Sequence, residues 1–439
     1  MLAAIGAESI DALFDDVPVG VRLGRALDLP PGKPEQEVYG YLRELAAMNV
    51  SAEDELSFVG AGMYDHYVPA LIDSILARSE FLTPYTPYQP EASQGTLQVM
   101  FEYQTAISEL TGLPVSNATL YEAPSAAASA GWLAHQQNRR GRFLVSRGLH
   151  PHSREALATT SAGWATAVEE IPLADGVTDP EALAAAVSDD VSAVFLQNPN
   201  FLGAVEDLEA LVPVAKAAGA LVVVQCDAIP LGILRPPGEF GVDIAVGEGQ
   251  PLGNRLDFGG PSFGFFATRQ DFIRRMPGRI AGQTTDVDGR RGFVLTLQTR
   301  EQHIRREKAT HNITTAQTLN ALAAIVYLSW LGREGLVELG ELLLQRTAYA
   351  RDALTAIEGV EPLHSQPVVR EFAVTLDADV DAVIERCAAD GVNPGYPLVR
   401  DYPEFQNGLL VALTEQRGKA DIDRLASTLQ AAVREAVPA

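Results

Sequence analysis

The segment VVVQCDAIPLG, residues 222–232, decides the fold. It opens with a short run of apolar, mostly β-branched residues and reaches a single acid, Asp227, before a proline and a glycine. A bounded apolar run of this length is typical of a buried strand. Open α/β sheets collect ligand groups at the carboxyl ends of their strands. The segment therefore predicts a buried strand that carries Asp227 to such an edge; the alternative is an acid that only caps the following turn.

A second segment, DIAVGEGQPLGN at residues 243–254, predicts another short strand that enters a glycine-rich turn around Gln250 and Pro251. This turn contains no lysine. The four lysines of the chain are Lys33, Lys216, Lys308 and Lys419. The interval that holds both predicted strands and the turn therefore offers no side-chain primary amine.

Strands and helices alternate along the middle of the chain. RFLVS (142–146), VSAVFLQ (191–197) and SFGFFAT (262–268) are short apolar runs, and EDLEALVPVAKAAG (206–219) is a helix closed by a glycine. Such alternation predicts a parallel sheet covered by helices on both faces.

The chain divides into three predicted parts. Residues 1–60 contain helical pieces joined by the proline-rich linker LDLPPGKPE and are expected to form an N-terminal helical arm. Residues 61–314 carry the alternating pattern of a large α/β domain. Residues 315–439 begin with two helices, 315–331 and 334–357, and continue as strand, helix, strand and helix, which predicts a small α+β domain.

The composition excludes several classes of function. Thirty-three basic against 57 acidic residues leave a formal charge of −24, which disfavours nucleic acid, because affinity for its backbone comes mainly from Lys and Arg. No apolar run reaches the roughly 20 residues of a membrane span, and no secretory signal is evident. Cys226 and Cys387 suggest no disulfide framework. We expect a cytoplasmic protein that binds neither nucleic acid nor membranes.

Three segments near these strands offer candidate ligand groups. YEAPSAAASAG (121–131) starts a helix with Ser125 among small residues, which suits a phosphate, although an ordinary close-packed helix start is the alternative. LHPHS supplies His150 and His152, expected on one face of an extended segment, where one could stack on a heteroaromatic ring. No further ligands follow them, so a metal is not indicated. The glycines of GGPSFGFF (259–266) suggest close approach of the backbone to a ligand or a neighbouring segment.

Two other segments are predicted to be ordered loops. FLTPYTPYQPEASQG (81–95) contains three prolines in seven residues, which forbid a regular helix and hold polar side chains with little entropy left to lose. Its candidates are Tyr85, Thr86, Tyr88 and Gln89. REKATHNITT (306–315) lies just ahead of a helix, where hydroxyls and N–H groups could meet an anion. Its candidates are Thr310, His311, Asn312 and Thr314. Interface packing, or a helix cap at Thr314, is the alternative.

The order of these features resembles the large domain of pyridoxal-phosphate enzymes of the aspartate-aminotransferase fold, fold type I. In such enzymes the strand-end acid pairs with the pyridine nitrogen, and the turn after the later strand carries the lysine that binds the cofactor. The resemblance places the missing lysine near Gln250 and Pro251. It assigns a vestigial cofactor pocket to Ser125, His150, His152 and Asp227. The scaffold is present and the nucleophile is absent.

Longer segments resemble the glycine cleavage system P-protein, and more narrowly subunit 1 of its two-subunit bacterial form. They are FVGAGMYDHYVPALI, FLTPYTPYQPEASQGTLQ, QNPNFLGAVEDL, DIAVGEGQPLG, GGPSFGFFA and REKATHNITTAQ, spread over nearly the whole chain. In this family subunit 2 holds the cofactor-bearing lysine and subunit 1 is its degenerate paralogue. The absent lysine fits subunit 1.

The resemblance implies a subunit of glycine dehydrogenase (aminomethyl-transferring), which decarboxylates glycine and transfers the aminomethyl group to the lipoyl cofactor of H-protein. It implies pyridoxal phosphate held covalently by subunit 2, a heterotetramer of two subunits of each kind, and loops of this chain that complete the partner's active site. The chain alone is expected to be inactive. The alternatives are a catalytically inert scaffold or regulator of the same fold, and a catalyst that binds the cofactor noncovalently.

Overall fold

The computed structural model describes residues 1–51, 53–257, 260 and 262–436. Two members of the glycine-rich segment, Gly259 and Pro261, and the last three residues of the predicted C-terminal domain lie outside the described residues. The chain forms two compact units, Met1–Ser51 and the remainder. The second unit contains both a large and a small sheet. The three-part division with boundaries at 60 and 314 stays a prediction.

The unit Met1–Ser51 is made of short helical pieces. These are the helices Leu2–Ile5 and Glu35–Ala46 and the 3-10 turns Asp11–Phe14 and Val19–Val21. None of its residues is buried, and large apolar side chains such as Tyr39 and Leu42 remain exposed. This unit therefore has no hydrophobic core of its own.

A seven-stranded sheet organises the second unit. From one edge to the other, its strands are Val115–Ser116, Gly264–Thr268, Ile244–Glu248, Leu221–Cys226, Val191–Asn198, Arg142–Ser146 and Ala167–Ile171. The predicted strand 222–226 is central, and Asp227 follows it directly, as expected. The last five strands of this order run parallel, so their carboxyl ends meet at one edge.

Gly264–Thr268 runs antiparallel to both of its neighbours, Ile244–Glu248 and Val115–Ser116. The prediction of a purely parallel sheet is wrong at this edge. A parallel pair requires a crossover, which is usually a helix. The described residues between Glu248 and Gly264 contain no helix, so the chain returns in the opposite direction.

Both faces of the sheet are buried, as predicted. Val222 and Val224 join one apolar cluster, with side chains from the helices Gln94–Thr111 and Leu208–Ala217. Val223 points to the other face and joins a cluster with the helices Ala123–Asn138 and Pro151–Ala162. Alternate residues of one strand thus enter two cores, and each buried valine contributes about 1.5–3 kcal/mol.

A four-stranded antiparallel sheet follows near the C-terminal end. Its order is Val360–Pro362, Glu371–Leu376, Gly408–Ala412 and Tyr396–Pro397. The helices Val380–Ala389 and Lys419–Ala436 pack on it, which agrees with the predicted strand and helix order. The two predicted helices before this sheet form one helical stretch, Thr318–Thr355, which is interrupted at Gly332 with φ 62°.

The remaining elements are short. The helices are Ala70–Leu76, Ser79–Leu82, Pro180–Ala186 and Gln302–Arg305; the strand pairs are Ile280–Thr285 with Arg291–Thr296, Leu173–Ala174 with Val177–Thr178, and Leu56–Ser57 with Val392–Asn393. The hairpin at 280–296 is absent from the sequence prediction. Across the described residues, no helix is both long and apolar enough to cross a membrane.

Candidate functional site

A cavity of about 350 Å³ opens at the sheet edge where the parallel strands end. Strand ends, two helix starts, the loop at 61–64 and the start of a small-sheet strand line it. The polar members of its wall are Tyr64, Glu122, His150, His152, Gln197, Gln225, Asp227, Glu248, Ser262, Arg370 and Glu371. His150, His152 and Asp227 of the predicted pocket therefore lie together, whereas Ser125 does not line this cavity.

Asp227 is already paired within the chain. The guanidinium of Arg370, from the start of the strand Glu371–Leu376, forms an ion pair with its carboxylate, and the Ile229 N–H donates to Asp227 Oδ1 at 3.2 Å. Arg370 is 2% exposed. Its Nη1 donates to His66 Nε2 at 2.6 Å, and its guanidinium lies over the Tyr64 ring, 3.2 Å from the centroid. Arg370 is thus fixed from three sides against the strand-end acid.

Glu371 adds a second buried carboxyl beside this pair. Its Oε2 accepts from the Tyr64 hydroxyl at 2.6 Å and its Oε1 from the Ala61 N–H at 2.9 Å. Burial raises the pKa of Glu371 to about 7, against the opposing effects of the Arg370 charge and the Tyr64 hydrogen bond. The wall thus joins residues 310 and 307 positions apart, which no local pattern in the sequence indicates.

The start of the helix Ala123–Asn138 is occupied by two carboxylates of the chain. The Ser125 N–H donates to Glu122 Oε1 at 3.1 Å, and the Ala123 N–H donates to Glu248 Oε2 at 3.1 Å. The Ser125 hydroxyl donates to the Glu122 carbonyl at 2.9 Å, which closes a capping box. Burial raises the pKa of Glu248, and Ser262 Oγ donates to it at 2.5 Å. The ordinary helix start, which was the alternative for Ser125, is what the structure contains.

The histidines lie at the start of another helix and not on an extended segment. His150 is the N-cap residue of Pro151–Ala162, and His152 is in its first turn. The extended conformation predicted for LHPHS is therefore wrong, because Pro151 at the first helical position is compatible with a helix start. His150 Nδ1 accepts from the His152 N–H at 3.2 Å, and its Nε2 lies 3.0 Å from the Ala61 carbonyl. The neutral ring with the proton on Nε2 satisfies both contacts.

We expect acid to destabilise the fold through His150. Burial lowers the pKa of His150 from 6.5 to about 4. Because the unfolded state binds the proton more readily, stability is present above pH 6.5 and is lost as the pH falls towards 4, by on the order of 3 kcal/mol. Urea unfolding between pH 8 and 4 should show a shallower pH slope for His150→Gln than for the wild type. Parallel slopes would contradict this role, and the difference at pH 8 measures the lost contacts alone.

The turn predicted to lack the lysine has one residue that faces the cavity. Pro251 lines it, whereas the Gln250 side chain accepts from the Tyr64 N–H at 2.9 Å and donates to the Tyr64 and Asn254 carbonyls at 3.0 and 2.7 Å. Gln250 therefore fastens the loop at 61–64 to this turn. Nearby, a Cβ on Gly264 would lie 2.5 Å from the Glu122 carbonyl oxygen, so the glycine admits a neighbouring segment.

The two predicted loops meet at another cavity, of about 240 Å³. Tyr85 and Thr86 line one side, and the start of the helix Thr318–Thr355 lines the other. That start is without a side-chain cap and without an acid in its first turn. Arg279, 7% exposed, lies in the wall. Its Nη2 donates to the Tyr88 hydroxyl at 3.3 Å, and its Nε lies 3.4 Å from Glu301 Oε2 without making a hydrogen bond.

The other loop candidates are distributed around these cavities. Tyr88 also packs against His303, with ring centroids 5.1 Å apart, and Gln89 is exposed. The Thr310 N–H donates to the Arg300 carbonyl at 3.0 Å. Burial and the nearby Arg300 and Arg279 charges lower the pKa of His311 to about 4.

Thr314 does not cap a helix, because the helix starts at Thr318, and its backbone N–H instead donates to the Tyr121 hydroxyl at 2.8 Å. Asn312 is exposed and lines a third cavity, together with Ser125 and His152. The loop at 310–314 therefore reaches both the outer end of the helix Ala123–Asn138 and the approach to Arg279.

Comparison with known proteins assigns the chain to a family. A family model described as the glycine cleavage system P-protein matches residues 1–429. The chain belongs to the P-protein family. Proteins named "Probable glycine dehydrogenase (decarboxylating) subunit 1" are similar over nearly their whole length. That of Moorella thermoacetica is 49% identical over 98% of this chain and 96% of its own, and that of Geotalea uraniireducens is 48% identical over 99% and 97%. The predicted resemblance to P-protein subunit 1 is confirmed, and these names favour an enzyme subunit over an inert scaffold.

Solved structures confirm the fold. A crystal structure of glycine decarboxylase (P-protein) of the glycine cleavage system, in inhibitor-bound form, is 43% identical, with a TM-score of 0.92 over 98% of this chain and 97% of that chain. A cysteine desulfurase from Escherichia coli is 14% identical with a TM-score of 0.66, over 88% of this chain and 96% of that one, and shows the fold alone. The predicted pyridoxal-phosphate-enzyme fold of type I is confirmed for this P-protein family member.

Pyridoxal phosphate, the cofactor of this fold family, does not fit the residues of the first cavity. The helix start that would receive a phosphate already binds the carboxylates of Glu122 and Glu248. The acid that would meet the pyridine nitrogen already pairs with Arg370. Sequence reasoning found Asp227 but missed these three residues. Their only local signal was the charged pair Arg370 and Glu371 at the start of an otherwise apolar strand.

Proposed function

We propose that this chain is the subunit of a two-subunit glycine decarboxylase that completes the active site of a lysine-bearing partner. The main observation is the meeting of the loops at 84–87 and 315–319 around a cavity with a buried cation in its wall, Arg279. The uncapped start of the helix Thr318–Thr355 adds free N–H groups and the positive end of a helix dipole. Such a cavity suits an anionic group supplied by the partner's active site.

Exposed apolar side chains of the second unit support a partner surface beside these loops. They come largely from the segments 67–88 and 304–349, and include Tyr67, Leu71, Leu82, Tyr85, Tyr88, Ile304, Trp330, Leu344 and Tyr349. Large exposed apolar residues in neighbouring segments mark interaction sites. The arm Met1–Ser51, which has no core of its own, exposes further apolar side chains.

The partner is a lysine-bearing P-protein subunit 2, which holds pyridoxal phosphate covalently and combines with this chain as a heterotetramer of two subunits of each kind. The cofactor supplies the electron sink needed for loss of CO₂ from glycine. The lipoyl cofactor of H-protein then accepts the aminomethyl group. This chain contributes walls, an anion contact and part of the docking surface, and none of these steps takes place in its own cavity.

We expect co-expression with the lysine-bearing subunit to give one complex that contains both the mass of two plus two subunits and the glycine–bicarbonate exchange activity. An obligate interface commonly buries roughly 2,000 Å² or more, which is stable to dilution. Sedimentation velocity of the pair, with exchange measured across the boundary fractions, tests this. Two independently sedimenting species, or exchange that follows the lysine-bearing subunit alone, would overturn the proposal.

A further inference from the structure

The helix start beside the first cavity has no N–H group left for a ligand. At the first position, the Ala123 N–H donates to Glu248 Oε2 at 3.1 Å. The second residue is Pro124, which has no N–H. The Ser125 N–H donates to Glu122 Oε1 at 3.1 Å and the Ala126 N–H to the Glu122 carbonyl at 3.0 Å. The chain's own groups thus use all four positions where a phosphate would bind.

The opposite wall is neutralised in the same way. The Asp227 carboxylate receives Arg370 and the Ile229 N–H. Arg370 is held by His66, whose Nδ1–H in turn donates to Glu415 Oε2 at 2.6 Å, because the arginine can only donate to the other ring nitrogen. A pyridinium would have to displace a guanidinium that is ordered by several contacts, and so leave a buried cation without its partner.

We propose that Glu122, Glu248 and Arg370 actively exclude pyridoxal phosphate from this subunit, so that the missing lysine is not the only barrier. Two carboxylates at the phosphate end repel a dianion in a cavity that water screens weakly. One guanidinium occupies the acid at the other end. The cavity selects against phosphate in particular, because the carboxylates lie where the phosphate would bind. This inference does not depend on which reaction the assembled enzyme catalyses.

The first test places a lysine in the cavity and compares two aldehydes. Pro251→Lys is the chosen position because Pro251 lines the cavity and Gln250 does not. The full chain is incubated with pyridoxal phosphate or with pyridoxal, reduced with borohydride and mapped for label at position 251. We expect Pro251→Lys to react with pyridoxal at least as well as with pyridoxal phosphate. Stoichiometric labelling by pyridoxal phosphate in this single variant would overturn the proposal.

The second test removes the two negative charges. Glu122→Gln with Glu248→Gln keeps an oxygen acceptor for each helix N–H, so the cap is retained. Added to Pro251→Lys, this pair should raise the preference for pyridoxal phosphate over pyridoxal by about tenfold or more. Adding Arg370→Met should raise labelling by both aldehydes, since Asp227 becomes free for the pyridinium. A folded variant whose phosphate preference is unchanged would overturn the role of the carboxylates.

The matched control is Glu35→Gln with Glu37→Gln, which changes the net charge equally in the exposed first turn of another helix, Glu35–Ala46. It should leave the preference between the aldehydes as it is without those changes. Should Pro251→Lys fail to fold, noncovalent binding of pyridoxal phosphate by the two glutamine substitutions alone is measured by titration calorimetry against the wild type. Equal weak binding by both chains would equally refute the exclusion.

Discussion

Purified without a partner, this chain is expected to exchange no carboxyl of glycine with bicarbonate and to retain no stoichiometric pyridoxyl group after borohydride reduction. The lysines are elsewhere. Lys33 lies in the arm, Lys216 pairs with the buried Asp243, and Lys308 is exposed. Lys419 pairs with Asp423 at 2.7 Å. None of the three lysines of the second unit lines the first cavity.

The expected effect is the complete absence of exchange above the uncatalysed background. Peptide mapping of the reduced protein provides a second readout that does not depend on activity. A single lysine labelled at one equivalent per chain would contradict the assignment as the lysine-free subunit. Scattered labelling well below one equivalent is consistent with it, since exposed amines such as Lys308 react nonspecifically. The lysine-bearing subunit, treated in parallel, is the positive control.

The local part of the fold follows from the sequence because it depends on short-range patterns. The apolar run at 222–226 is buried on both faces, which requires a continuous hydrophobic stretch, and it therefore identified the central strand. The glycine at 332 divided the long helical segment into the two predicted helices. The antiparallel strand Gly264–Thr268 was not predicted, because the direction of a strand depends on its connection and not on its own residues.

The candidate site was predicted only in part, because its chemistry depends on contacts between distant segments. Asp227 and His150 were found at strand and helix ends, but the partner of Asp227 is 143 positions later, at Arg370. Ser125 was interpreted as a phosphate ligand from its neighbours, although its role depends on the preceding Glu122. An acid three residues ahead of a serine at a helix start is a capping signal that the sequence did contain.

The loops contribute to a shared active site only if their polar groups act beyond packing, and two substitutions separate these roles. Tyr88→Phe removes the hydroxyl that accepts from Arg279, and Asn312→Ala removes an exposed amide beside Ser125 and His152. Each change removes a polar group while leaving the apolar core intact. In the co-expressed enzyme we expect each variant to assemble normally and to lose exchange activity by an order of magnitude or more, at about 1.4 kcal/mol per tenfold.

Matched substitutions outside the loops show whether the loss is specific. Tyr349→Phe removes another partly exposed hydroxyl, which bonds to Asp423 at 2.5 Å, and Asn407→Ala removes an amide near the small sheet. Both controls should exchange at the wild-type rate. If Tyr88→Phe and Asn312→Ala also assemble and exchange at that rate, the loops are interface packing, and Arg279 with the start of the helix Thr318–Thr355 serves the fold rather than an anion. A loss confined to Tyr88→Phe would place the contribution at the Arg279 cavity, because only that variant alters a group bound to this cation.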